Sequence, residues 1–295
     1  MPHLDLVETT VDYYRRGEGP PLLLVPGGSG HGGVLERLAD RLADDYGVAV
    51  MSTRVASTRR PGTALGDQLP KVHATDAAAV IDALFDEPPV VLGFSAGAIT
   101  ALDLLAHHPE RVRLAVVHEP PLVNLLPEAA RLRSILAEVR ESARVGDLEA
   151  AGKLMTELMI DTDIRFTAPA LRRFGGWPDG YAGTRPEPPT PELLELFGRL
   201  GDLQPLFLEH VLVQFTGYDP DLTALATHAE QLVLAVGADS GRDLPFQTAA
   251  ALAARLGLPL TEFPGGHLGP VERPTQFAGA LKALLDASTG LVPPQ

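Results

Sequence analysis

The chain has 295 residues, 45% of them hydrophobic and 21% charged, with a formal net charge of −14 and no cysteine. That composition suits one large globular domain or two smaller ones. The lack of cysteine excludes disulfides, thiolate metal sites and a cysteine nucleophile, and the negative charge argues against nucleic acid or an anionic membrane surface as the main partner.

The first residues are polar and carry Asp5 and Glu8, unlike a signal peptide. No apolar run is long enough to span a bilayer, so a soluble, cytoplasmic protein without membrane insertion is expected. Leu4–Thr9 and Val11–Arg15 alternate in part and carry charge, as two edge strands would. Gly17–Pro20 is a turn, and Pro21–Val25 is an unbroken apolar run, the mark of a strand buried on both faces.

Pro26–Gly33 follows at once, with five glycines in eight residues. Such a loop lets backbone approach something closely. A phosphate loop would need G-x-G-x-x-G with a later acidic residue, or a Gly-Lys-Ser/Thr ending, and neither is met. An oxyanion loop needs free backbone N–H groups beside a nucleophile, with Gly28 as the expected donor. A helix then carries Leu35, Leu38, Ala39 and Leu42 on one face. Val48–Met51 is a third buried strand, and Ser52–Pro70 is basic and turn-rich. Lys71–Phe85 is expected to be a helix.

Pro89–Ile99 organises the chain. An apolar run leads into Gly93-Phe94-Ser95-Ala96-Gly97, and a helical run with Ile99, Leu102, Leu104 and Leu105 follows. A G-x-S-x-G turn of this kind holds its serine at a strained strand-to-helix corner, with the oxygen above the sheet. The helix end adds N–H groups and a positive dipole at the same place. The bland alternative is a small-residue turn with a satisfied serine; the flanking strand and helix favour a nucleophile. His107 and His108 end that helix at its far end and are expected to cap it.

Arg113–Val117 is another buried strand, ending in His118-Glu119. From residue 120 to 230 the alternation of strand and helix stops. Helices are expected over 127–145, 147–160, 168–174 and 191–215, with a long Pro/Gly loop between the last two that holds Trp177. The domains expected are a core of 1–119 and 231–295 and an inserted helical cap of 120–230. Alternation resumes with the strand 231–236, a loop carrying Asp239 and Asp243, and the helix 246–256. The strand 260–263 then runs into Gly265-Gly266-His267, and a last helix covers 275–285.

The candidates all sit just past strand C-termini, where open parallel sheets form sites. Their order is Gly28, Ser95, Asp239, His267. Ser95 needs a base to become nucleophilic, and His267 can take its proton and return it to a leaving group. An acid must hold the histidine's tautomer. Asp239 is the first choice, Asp243 the second and Glu119, at a different strand end, the third. The backbone N–H groups of Gly28 and Ala96 are the expected oxyanion hole.

These motifs, with Glu272-Arg273-Pro274 leading into the last helix, resemble an α/β-hydrolase-fold serine hydrolase with a helical cap. The resemblance is clearest over 20–118 and 231–285. It implies an α/β fold with an eight-stranded, mostly parallel sheet and helices on both faces. Two departures stand out. Thr53-Arg54-Val55-Ala56-Ser57 replaces the Asp-x-Arg-Gly turn of many relatives, and Pro26 stands where a histidine is common. Relatives that open epoxides or carbon–halogen bonds use Asp at the elbow, so Ser95 argues against those activities. The expected activity is hydrolysis of an ester, thioester or lactone of an apolar small molecule, with no cofactor or metal. The alternatives are a non-hydrolytic cyclase, acyl transferase or C–C lyase on the same scaffold, and a catalytically silent binding protein.

Overall fold

A computed structural model describes residues 2–6, 9–57, 65–159, 171–172, 185–241 and 243–289. Its centre is one sheet. The strands are β1 (His3–Asp5), β2 (Thr10–Arg16), β3 (Pro21–Val25), β4 (Gly47–Met51) and β5 (Val90–Phe94). They continue with β6 (Leu114–His118), β7 (Leu171–Arg172), β8 (Leu232–Gly237) and β9 (Leu260–Phe263). The spatial order is β1-β2-β4-β3-β5-β6-β8-β9-β7. β1 and β2 are antiparallel at one edge, and every pairing from β4 onward is parallel.

Parallel strands covered on both faces need apolar residues at every position, divided by the two-residue period of the strand. Leu23 and Val25 of β3 and Val91 of β5 pack with α2 (Pro70–Leu84), α3 (Ala96–His107) and α10 (Leu244–Leu256). Leu22, Leu24 and Leu92 face the opposite way, toward α1 (Glu36–Leu42) and α11 (Pro274–Thr289). β5 lies in mid-sheet, so its C-terminal end opens above a fully packed scaffold.

The segment 120–230 between β6 and β8 supplies α4 (Ala129–Arg144), α5 (Leu148–Met159), α6 (Pro191–Leu200), α7 (Gln204–His210), α8 (Leu212–Thr216) and α9 (Leu222–Thr227). Thr190 Oγ1 accepts from Leu193 N–H at the start of α6, and Asp221 Oδ1 accepts from Ala224 N–H at the start of α9. Two expectations change here. The helix expected at 168–174 is extended at Leu171–Arg172, which pairs with Leu260 and Thr261 as a ninth strand. The single helix expected over 191–215 is three, because the turn at Gly201–Leu203 and the break at Val211 redirect the chain. Trp177 and most of its loop lie outside the described residues. Among the described residues no helix is long and apolar enough to cross a membrane.

Candidate active site

Ser95 stands between β5 and α3 at φ 55° and ψ −123°, a conformation non-glycine residues rarely adopt. Its flanking glycines have steric reasons. A Cβ on Gly93 would lie 2.2 Å from the Gly97 carbonyl oxygen, and one on Gly97 would lie 2.4 Å from the carbonyl oxygens of Val25 and Pro26. The corner is tied to the next strand by Ser95 N–H, which donates to the His118 carbonyl at 2.9 Å.

The loop after β3 lies against this corner. A Cβ on Gly27 would come within 3.2 Å of Ser95 Cβ. Gly30 turns the loop at φ 70° and donates to the Gly27 carbonyl at 2.8 Å. The stretch after β4 braces it: Thr53 N–H donates to the Gly30 carbonyl at 2.7 Å, and Ser52 Oγ accepts from Gly32 N–H at 3.0 Å. The altered 53–57 turn is closed internally, with Ser57 Oγ donating to the Thr53 carbonyl. Arg54 there forks onto the buried Asp76 at 2.6 and 2.7 Å. Among the described residues neither Gly28 N–H nor Ala96 N–H meets a hydrogen-bond acceptor.

His267 follows the turn after β9. Its Nδ1 lies 2.9 Å from Glu119 Oε2. Glu119 Oε1 accepts from Gly237 N–H at 2.8 Å and from Ser240 Oγ at 2.5 Å. The Glu119 side chain is 0% exposed, and its backbone is held at φ 50°. Burial pushes its carboxyl up, yet the bonds from His267 and Ser240 and the charges of His118 and His267 outweigh burial and hold it below the ordinary range. An ionised carboxylate only accepts, so His267 Nδ1 is the donor and Nε2 is left as the basic nitrogen.

The other acids are turned elsewhere. Asp239, the first choice from sequence, pairs with Arg273 Nη2 at 2.8 Å. Its backbone N–H donates to the Gly265 carbonyl, so its loop supports the turn that carries His267. Asp243 is the N-terminal cap position of α10, and burial and the Glu119 charge raise its carboxyl pKa. The carboxylate on the imidazole is therefore Glu119, the third choice. His107 and His108 lie at the far end of α3, His107 Nδ1 facing the Asp103 carbonyl.

Three contributors carried no motif. Ser240 completes the Glu119 cradle. His118, fully buried, reaches the Gly266 carbonyl through Nε2 at 3.2 Å and lies edge-on to Phe263 and Phe277. Burial pushes its imidazole below the ordinary histidine value, against the charge of Glu119 beside it. Phe207 of α7 covers Gly28: a Cβ there would lie 2.4 Å from its Cε2. Only the adjacency of His118 to Glu119 could have drawn attention in the sequence.

Two chambers meet at Ser95. The larger, about 460 Å³, includes Gly28, Phe94, Pro186, Leu193, Phe197 and Leu268 in its wall. The smaller, about 180 Å³, holds Ala96 and His267 with Leu136, Met155, Phe207 and Phe215.

The alpha/beta hydrolase family model matches residues 22–280, which include Ser95, Glu119 and His267. The chain belongs to the alpha/beta hydrolase family. It is 27% identical over 289 residues to an uncharacterized hydrolase of Bacillus subtilis, covering 96% of this chain and 95% of that one. Its fold is similar to a thermophilic esterase from Thermogutta terrifontis, with a TM-score of 0.69, 17% identity and coverage of 98% and 99%. It is also similar to the enol-lactonase from Burkholderia xenovorans, with a TM-score of 0.63, 15% identity and coverage of 98% and 100%. Family membership accounts for the sheet order and for the corner at Ser95; the substrate is a matter for the site itself, because one fold hosts many chemistries.

Proposed function

We propose that the protein is a serine hydrolase that cleaves a carboxylic ester, thioester or lactone of an apolar small molecule through an acyl-enzyme. One observation carries this reading. Ser95, strained at its corner, shares a chamber with His267, whose Nδ1 is engaged by the buried Glu119. In this mechanism His267 Nε2 takes the Ser95 proton as Oγ attacks the carbonyl carbon. The N–H groups of Gly28 and Ala96 receive the oxyanion. His267 then protonates the leaving group, and a water, activated by the same nitrogen, releases the acid. Glu119 holds the tautomer and the imidazolium.

Residues 120–230 form the cap in this reading, since Leu136, Met155, Phe207 and Phe215 wall the chamber beside Ser95. The esterase and the enol-lactonase of similar fold support acyl chemistry as the class. The test is a fluorophosphonate probe with intact-mass readout. One adduct on the wild-type chain and none on Ser95→Ala is expected, with ester turnover lost in the variant. Turnover in H₂¹⁸O should place one ¹⁸O in the acid product. An unlabelled wild-type chain, or full turnover by Ser95→Ala, refutes the mechanism.

A further inference from the structure

We propose that the substrate is an ester of a small apolar alcohol and a longer acyl chain, its two arms parted by Phe207 into the chambers that meet at Ser95. The proposal rests on the serine-hydrolase reading above and names its substrate class.

Geometry sets which arm goes where. As the tetrahedral carbon collapses, the bond to the alcohol oxygen breaks, and that oxygen takes its proton from His267. It must therefore lie on the His267 side. His267 belongs to the wall of the smaller chamber, while the larger one begins at Leu268 and the Gly27–Ser29 loop. The alcohol arm thus enters the smaller chamber.

Size and polarity follow from the walls. At ~30 Å³ for each water-sized group, 180 Å³ has room for about six. Apart from Ser95 and His267, the one polar side chain among the described lining residues is Thr216. Its hydroxyl donates to the Leu212 carbonyl at 2.7 Å and offers the ligand no proton. Its oxygen can accept a hydrogen bond, so an alcohol with several polar groups would lose its water there with little compensation.

The larger chamber differs on both counts. Phe197 and Leu268 in its wall are 43% and 45% exposed, so it opens to solvent and sets no sharp limit on chain length. Of its three charged groups among the described residues, Arg37 and Glu187 are bound to each other at 2.9 Å, and Glu272 is half-buried in the same wall. Phe207 stands between the chambers, one edge on Gly28 and the ring in the smaller chamber's wall.

The experiment is kcat/KM over two alkyl ester series, methyl esters of acids from four to twelve carbons and hexanoate esters of alcohols from methyl to dodecyl. The acyl series should vary by less than about 10-fold. The alcohol series should fall by about 10²-fold once the chain exceeds roughly six carbons. Phe207→Ala should raise the octyl-to-methyl ratio by at least about 10-fold by joining the chambers, and Met155→Ala should raise it by lengthening the smaller one. Fluorophosphonate labelling of each variant shows that its site is intact. A sharp limit on the acyl arm instead, or on neither arm, overturns this proposal while leaving the hydrolase reading standing. Failure of wild-type protein to label or to cleave any ester removes that reading, and this one with it.

Discussion

The ends of β6 and β8 each carry an acid near the turn that holds His267, and the two are built differently. Glu119 is 0% exposed, strained at φ 50°, and accepts hydrogen bonds from His267, Gly237 and Ser240. Asp239 has a side chain 28% exposed and paired with Arg273. A charge kept from water needs every lone pair engaged, and a strained backbone persists only where its surroundings over-determine it. Those conditions describe a carboxylate whose orientation matters. Asp239, with solvent and an arginine, has the surroundings of an acid that holds a loop in place.

Substitutions should separate the two positions by opposite effects. Glu119→Gln keeps an oxygen for Gly237 and Ser240 but presents an amide N–H to His267 Nδ1, forcing the wrong tautomer. A fall in kcat of about 10³- to 10⁴-fold is expected, with KM little changed. Asp239→Asn should keep kcat within a few-fold and lose ~1 kcal/mol of stability, a fall of about 2–4 °C in Tm. If kcat collapses in Asp239→Asn and survives in Glu119→Gln, the acid is Asp239. Ser240→Ala removes one charge-assisted bond from Glu119 and should cost about 10-fold in kcat. His118→Phe keeps the aromatic packing and loses the bond to the Gly266 carbonyl. A fall of severalfold in kcat with an unchanged KM marks it as positioning the His267 turn; a change in KM alone would not fit that role.

The same contrast shows how much could be read from the chain. The buried strands at 21–25, 90–94 and 260–263 and the corner at Ser95 were legible because each follows from local pattern: apolar runs, and glycines whose Cβ would meet backbone. The acid was not. Choosing it from chain order favours the loop after β8, but the choice depends on which carboxylate is turned inward, and that follows from φ at 119 and the bond from Ser240, 121 residues further on. The cap was illegible for a related reason. Its helices show an apolar stripe, but nothing in the stripe says that Phe207 would lie on Gly28. Residues 171–172 pair as a strand only because β9 offers a free edge.

The smallest expected effect is one of pH on stability. In the fold Glu119 titrates below its ordinary value of 4.5. A carboxyl with a depressed folded pKa contributes stability that is fully present above the unfolded value and is lost as pH falls through the folded one. The Glu119→Gln protein lacks this contribution at every pH. The difference in Tm between wild type and Glu119→Gln should therefore be constant from pH 8 to pH 6 and should shift against the wild type as the pH falls below 4.5. Asp243, whose carboxyl is raised by burial and by the Glu119 charge, reverses the sign. Removing its charge in Asp243→Asn relieves that repulsion and should favour the variant near neutrality, the advantage vanishing on acidification as Asp243 itself takes up a proton. Thermal unfolding of the three proteins from pH 8 to pH 3.5 reads both slopes. A Glu119→Gln difference that stays flat through pH 4 would mean that Glu119 is not held ionised by its cradle.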